Sequence, residues 1–242
     1  MVIRRARRFV TAATLIVAIF LSVSEDARAS AEDDPVLFMG ILDQLEMRDT
    51  SGDNTFSWDV QGWFGQDLRK LWFKTEGERA GGSTNEAEFQ FLYSKAIAVY
   101  WELQLGVRHD FEPSPSRSWA VIGVQGLAPY FFETDIALFV GDAGRTALRF
   151  ESEYELLLTQ RLILTPEIEV NFYGRDDAEV GVGSGLSDIE TGIRLRYEIR
   201  RRFAPYIGVS WSKLFGNTAD FAKTAGQDTS ETQLVIGFRA WF

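Results

Sequence analysis

From residue 55 onward, apolar and polar residues change places at every second position, for about ten residues or more at a time. Val99, Trp101, Leu103, Leu105 and Val107 alternate with Tyr100, Glu102, Gln104, Gly106 and Arg108. Leu148, Phe150, Tyr154, Leu156 and Leu158 alternate with Arg149, Glu151, Glu153 and Glu155, and Leu234, Ile236, Phe238, Ala240 and Phe242 with Gln233, Gly237, Arg239 and Trp241. A period of two is that of a strand with two unlike faces. A soluble barrel or sandwich also alternates, but soluble strands usually run to about five or six residues. These runs have the length of a tilted strand that crosses a bilayer. Their polar faces carry several charges in succession and their apolar faces are rich in aromatics, which matches a polar lumen and a lipid-facing wall. Backbone groups in hydrocarbon must all be paired, so such a sheet must close.

The expected fold is therefore all-β: a transmembrane antiparallel up-and-down β-barrel of about twelve strands. Eleven strands read clearly at about 55–65, 70–79, 85–95, 98–110, 118–127, 130–140, 146–159, 162–173, 186–199, 203–213 and 231–242. Bacterial single-chain barrels use even numbers. The connections at 128–129, 160–161 and 200–202 are short, as periplasmic turns are. Those at 174–185 and 214–230 are long and rich in Gly, Asp, Ser, Thr and Asn, as extracellular loops are. A last strand ending in the periplasm requires one further ascending strand before residue 55. The segment 40–49 (GILDQLEMRD) is the candidate, with the weakest pattern of the twelve. Trp58, Phe64, Trp72, Phe73, Trp101, Tyr130, Phe132 and Trp211 fall near strand ends or outer faces, where aromatic girdles belong.

The first thirty residues read as an address. Arg4, Arg5, Arg7 and Arg8 precede an apolar stretch at 9–21, and Ala27-Arg28-Ala29 supplies an A-x-A cleavage site. This is the layout of a secretory signal peptide, with cleavage after Ala29 as the first choice and after Ala31 as the second. The alternative, an uncleaved anchor, needs a longer apolar run. The organisation is then signal peptide 1–29, a short segment 30–39 and a barrel at 40–242. Removing 1–29 takes away five Arg and two acids, so a net charge of −10 becomes −13 over 213 residues.

The composition excludes much chemistry. With no Cys and a single His, a disulfide framework, a Cys zinc site, an iron–sulfur centre, thiol catalysis and a multi-His metal site are all ruled out. The acidic balance argues against a nucleic-acid partner. Beyond the leader, no apolar run reaches the eighteen residues of a membrane helix. Nor does any GxSxG, HExxH, P-loop or EF-hand spacing occur.

The chemistry is therefore expected in the lumen. Inward parity collects Asp59, Glu76, Glu78, Glu86, Glu88, Glu102, Glu151, Glu153, Glu155, Glu167, Glu169, Asp188, Glu190 and Glu198 against Lys74, Arg108, Arg149, Arg194 and Arg196. An acidic excess inside a low-dielectric wall attracts cations and repels anions. The alternative is a salt-bridged network that rigidifies and plugs the barrel. His109 falls on the outward parity near the extracellular end of its strand, with Ser114, Ser116 and Ser118 in the adjoining loop. A lipid hydrolase can work from that face through a His-activated serine, whereas a rim histidine at headgroup level needs no orienting partner. Asp176, Asp177 and Glu179 lie in a glycine-rich loop without calcium-loop spacing, so a solvated loop is expected there.

Several blocks, in order over 40–242, resemble the copper resistance protein B family: LDQLE (42–46), GWFGQDLRKLWFKTEGE (62–78), AEFQFLYSKA (87–96), YWELQLGVRHD (100–110), GLAPYFFE (126–133), RFESEYELLLTQRLILTPEIEVN (149–171), GLSDIETGIRLRYEIRRRFAPYIGVSW (185–211) and RAWF (239–242). The resemblance implies a non-enzymatic barrel of the Gram-negative cell outer membrane, in contact with its lipid. It implies a role in copper homeostasis, with copper ion as the metal bound or transported and periplasmic copper-resistance proteins as partners. Many members of the family carry a Met- and His-rich N-terminal arm. Here the mature chain starts SAEDDPVLFMGILDQLE and holds only Met39, Met47 and His109 as soft ligands. Metal handling is then expected to fall to the barrel, along a cation path of Glu76, Glu78, Glu86, Glu88, Glu102, Glu151, Glu153, Glu155, Glu167, Glu169, Asp188 and Glu190. The competing functions are a lipid hydrolase using His109 and a plugged structural barrel.

Overall fold

The computed structural model describes residues 34–49 and 54–242. The expected signal peptide, 1–29, lies outside the described residues, as does the start of the segment 30–39. The elements run β1 Leu37–Asp49, β2 Thr55–Gln66, β3 Arg69–Ala80, β4 Ser83–Ala98, β5 Trp101–Glu112, β6 Arg117–Ala128, β7 Phe132–Gly141, β8 Thr146–Glu153, β9 Leu156–Leu157, β10 Leu162–Tyr173, β11 Gly185–Tyr197, β12 Phe203–Leu214, a helix α1 at Gly216–Thr224, and β13 Ser230–Trp241. Each strand pairs antiparallel with the next, except that β8 and β9 both pair with β10, and β13 returns to pair with β1, from Ile41 opposite Trp241 to Asp49 opposite Leu234. The sheet is thus a closed meander with no free edge. Strands β8 and β9 are two pieces of one stave, so the barrel has twelve. Its final pair, β1 with β13, shows that the weakly patterned segment 40–49 is a true strand.

Two local irregularities have identifiable causes. Between Leu42 and Gln44 the pairing of β1 with β2 slips by one residue. A bulge reverses parity, so Ile41 stands opposite Gln61 on the inner side while Leu45 and Met47 face outward. That reversal is what blurs the alternation over 40–49. The second is the break at Tyr154 and Glu155. Pro166 of β10 accepts from the Tyr154 N–H at 3.0 Å but has no N–H to return. One ladder bond is missing there, and the stave divides into β8 and β9.

The outer wall is apolar from strand to strand. Phe56, Phe89, Phe91, Leu105, Val107, Ile122, Leu138, Val140, Ile193, Ile207, Val209, Leu234 and Ile236 are all exposed. A band of this extent is suited to lipid and unsuited to water. Phe64, Phe73, Tyr130, Phe132 and Trp211 lie on this surface, as the girdle reading expects. Trp72 does not. It points inward and is only 7 % exposed, packed with Leu92, Trp119, Val121 and Phe139. The lumen therefore has an apolar sector on β3 to β7, so inner residues are not uniformly polar.

Candidate functional site: a charged lumen in two chambers

Alternation on twelve staves brings the inward charges face to face across the barrel. A chamber of about 410 Å³ lies in the half towards the short turns, and one of about 770 Å³ in the half towards the long loops. Both are lined by Arg48, Glu76, Glu88, Arg149, Glu169 and Glu190, which form the bar between them.

Glu88 of β4 is the centre of that bar. Arg108 from the adjacent β5 reaches it at 2.7 Å, and Arg149 from β8 reaches it at 3.0 Å from across the lumen. Arg149 also contacts Glu76 at 3.1 Å and Glu169 at 3.4 Å. The guanidinium of Arg108 sits 4.7 Å from the centre of the Phe139 ring, and that of Arg149 5.8 Å. The ring face attracts both cations, so the apolar sector of the wall holds the bar in place. Such charge-assisted, multiply bonded pairs are the stronger kind.

A second network fixes β1 to β11. Glu46, only 1 % exposed, accepts from Arg194 at 2.9 and 3.0 Å, from Arg48 at 2.8 Å and from the Tyr206 hydroxyl at 2.9 Å. Arg194 also pairs with Glu167. Towards the short turns, Arg239 bridges Asp43 at 2.7 Å and Glu155 at 2.9 Å, while Arg196 holds the same Glu155. Lys74 reaches across to Asp135 at 2.6 Å.

Other inward acids have no such partner. Among the described residues, Asp59 and Glu133 in the first chamber, and Glu78, Glu86 and Glu231 in the second, make neither an ion pair nor a hydrogen bond. These unpaired carboxylates sit on both sides of the bar.

Ten of the twelve expected path residues line a chamber: Glu76, Glu78, Glu86, Glu88, Glu151, Glu153, Glu167, Glu169, Asp188 and Glu190. Glu102 and Glu155 do not. Glu102 is taken by Lys70 and by Ser94 at 2.5 Å, and Glu155 lies between two arginines. Glu46, Asp43, Glu133, Asp135 and Glu231 were not among the expected set. The bulge hid Asp43, whose parity is that of Leu45 and Met47, whereas Glu46 stands on the polar parity with Gln44 and Arg48. Asp135 shares its face with Ala137 and Phe139, so its strand gives no clean polar side to find it by. The soft ligands are not brought together. Met39 stands opposite Trp63 and Met47 opposite Phe56 on β1, while His109 stands opposite Phe89 on β5. No group of three His, Cys, Asp or Glu that could hold a metal ion occurs among the described residues.

His109 does have a serine beside it: Nδ1 lies 2.8 Å from the Ser118 hydroxyl across the β5–β6 pair. Its ring meets Phe111 edge-on at 4.6 Å. Among the described residues, no carboxylate or amide is hydrogen-bonded to its other ring nitrogen, so nothing orients it as a catalytic base.

The long loops lie over the second chamber. Asp177, in the loop after β10, accepts from Arg117 at 2.9 and 3.1 Å and from Arg145 at 2.7 Å. The bonds from Arg117, followed by the charges of Arg117 and Arg145, hold its carboxyl below the usual aspartate range. Helix α1 buries Thr218, Ala219 and Ala222, and the Thr218 hydroxyl meets Ser187 of β11 at 3.0 Å. Thr218, Ala222 and Asp177 all line the second chamber.

A family model described as copper resistance protein B precursor matches residues 36–242. The chain is 50% identical over 210 residues to copper resistance protein B of Escherichia coli, covering 87% of this chain and 71% of that protein. It is 46% identical over 202 residues to a copper resistance protein B homolog of Pseudomonas syringae pv. tomato, covering 84% and 69%. Among solved structures it is similar in fold to the NanC porin (TM-score 0.56, 12% identity, 84% of this chain and 98% of that one) and the KdgM porin (TM-score 0.53, 13%, 85% and 99%).

Proposed function

The chain belongs to the copper resistance protein B family, and we propose that it serves copper resistance as an outer-membrane barrel whose acidic lumen binds and passes copper ions as cargo. The short turns then face the periplasm and the long loops the exterior. The observation that carries this reading is the set of unpaired carboxylates on both sides of the bar: Glu78, Glu86 and Glu231 towards the loops, and Asp59 and Glu133 towards the short turns. Field focusing by a narrow low-dielectric lumen favours cations there. Carboxylates give weak, rapidly exchanging contacts, the kind conduction requires, and suit Cu²⁺ better than Cu⁺. The bar sets the resistance, because a cation must pass two guanidinium groups that already occupy Glu88. Periplasmic copper-resistance proteins are the expected partners at the short-turn end. The reading is tested by ion flux through the reconstituted barrel. Cu²⁺ and monovalent cations should pass in preference to chloride, and a barrel that passes anions best would overturn it.

The ion-paired networks of Glu88 and Glu46 favour a second reading, a plugged structural barrel. Planar-bilayer recording separates the two, since a plugged barrel gives no cation current. The lipid-hydrolase reading rests on Ser118 beside His109. It requires ester cleavage that His109→Ala abolishes.

A further inference from the structure

Among the described residues, the arginines that line the lumen or clasp the loops are used up. Arg48, Arg108, Arg117, Arg145, Arg149, Arg194, Arg196 and Arg239 are all ion-paired. Those left over are not spread evenly. Arg161 lies in the β9–β10 turn and Arg200, Arg201 and Arg202 in the β11–β12 turn, all exposed. None makes an ion pair among the described residues. The two turns are adjacent, because the Glu198 N–H donates to the Arg161 carbonyl at 2.8 Å. The arginine turn is also built. Arg200 and Phe203 exchange backbone bonds at 3.0 and 3.3 Å, and the Trp241 indole N–H donates to the Arg201 carbonyl at 2.8 Å. The Arg202 guanidinium stacks 5.4 Å from the Trp241 ring.

Directly along the strands from this cluster, the wall is exposed and apolar: Leu157, Tyr197, Ile199 and Phe203. Around the same end, Arg69 and Lys95 stand opposite each other on β3 and β4, both exposed. At the other end the cations are more scattered: Arg79 and Arg175 donate to backbone carbonyls, Arg117 and Arg145 are spent on Asp177, and, among the described residues, Lys213 stands alone 5.3 Å from the Phe215 ring.

We propose that the short-turn rim at Arg161, Arg200, Arg201 and Arg202 is a docking surface for the anionic headgroups of glycerophospholipids. Guanidinium groups on adjacent fixed turns can hold phosphate oxygens through charge-assisted, bidentate bonds. Trp241, opposite Ile41 on the inner side, braces this turn from the barrel mouth through its bond to Arg201. The acyl chains then continue along the exposed wall of β9 to β12. An acidic soluble partner would need the arginines but not the exposed apolar wall below them. The assignment to the inner leaflet of the outer membrane rests on the orientation proposed above; the headgroup binding does not.

The test is lipid retention by the purified full-length barrel, read by native mass spectrometry from micelles carrying phosphatidylglycerol and phosphatidylcholine together. The wild type should retain phosphatidylglycerol about tenfold better than phosphatidylcholine. Arg161→Gln/Arg200→Gln/Arg201→Gln/Arg202→Gln should lose most of that preference while keeping strand circular dichroism. Arg79→Gln/Arg175→Gln at the opposite end should keep it. Equal retention of the two lipids by wild type, an undiminished preference in the quadruple variant, or a loss in the opposite-end variant would each overturn the proposal. Ion flux through the same preparations reports on the lumen separately, so failure of the rim and failure of the cation path are distinguishable.

Discussion

Replacing Arg149 by Gln puts the central bar to the sharpest test. Among the described residues, Arg149 is the one cation in contact with Glu76, Glu88 and Glu169 at once, at 3.0 to 3.4 Å, and its side chain is about 10% exposed. Without it, Arg108 alone faces Glu88, and the six residues shared by the chambers lose one of their two positive charges. A cation passing at about 5 Å is then relieved of a repulsion of roughly 1 to 3 kcal/mol, taking an effective dielectric between about 80 and 20. That corresponds to a rise in cation conductance of about fivefold to a hundredfold, with the lower end expected in a hydrated lumen. The same change removes one partner of a mostly buried network, which costs about 2–4 kcal/mol of stability after allowing for the more exposed Glu76. Single-channel recording in planar bilayers reads the first effect, and urea unfolding of the lipid-reconstituted barrel reads the second. If Arg149→Gln leaves cation conductance unchanged, or raises that of chloride instead, the bar is not the barrier described here.

Further predictions concern the loops, the wall and the rim. Asp177 is held below its ordinary pKa by Arg117 and Arg145, so the stability it gives the loop clasp is fully present above the usual aspartate value of about 3.9. It is lost as pH falls through the lower folded value. Proteolysis of the loop after β10 should therefore quicken only below about pH 4, whereas Asp177→Asn should quicken it at neutral pH. Phe139→Ala opens a cavity at a side chain only 1% exposed and removes the ring beside Arg108. It should cost about 3–5 kcal/mol in urea unfolding. His109→Ala should leave ion flux unchanged within error, and ester hydrolysis should be absent in both proteins; activity lost with the imidazole would restore the hydrolase reading.

Much of this was legible in the sequence because a barrel in lipid imposes one rule on every strand. All twelve staves follow from the alternation, including the last, found by requiring an even count. The rule fails where backbone chemistry intervenes. The bulge at Leu42 to Gln44 reversed the parity of β1 and concealed Asp43, and Pro166 broke a run that reads as continuous. It also fails where the lumen is filled by side chains. Trp72, Trp119 and Phe139 are aromatic and inward, because the wall beside the bar is packed rather than solvated. Parity identifies which acids point inward, but not which are neutralised. That depends on contacts across the barrel, such as Arg149 with Glu88, 61 residues apart, which no local pattern carries.

The most direct test of the cation path is Cu²⁺ entry into liposomes that contain the purified barrel and an encapsulated copper-sensitive dye. The wild type should admit Cu²⁺. Asp59→Asn/Glu78→Gln/Glu86→Gln/Glu133→Gln/Glu231→Gln, which neutralises only carboxylates without partners, should slow entry at least tenfold by the field-focusing argument while the barrel stays folded. Equal entry through both proteins, or none through the wild type, would contradict the account.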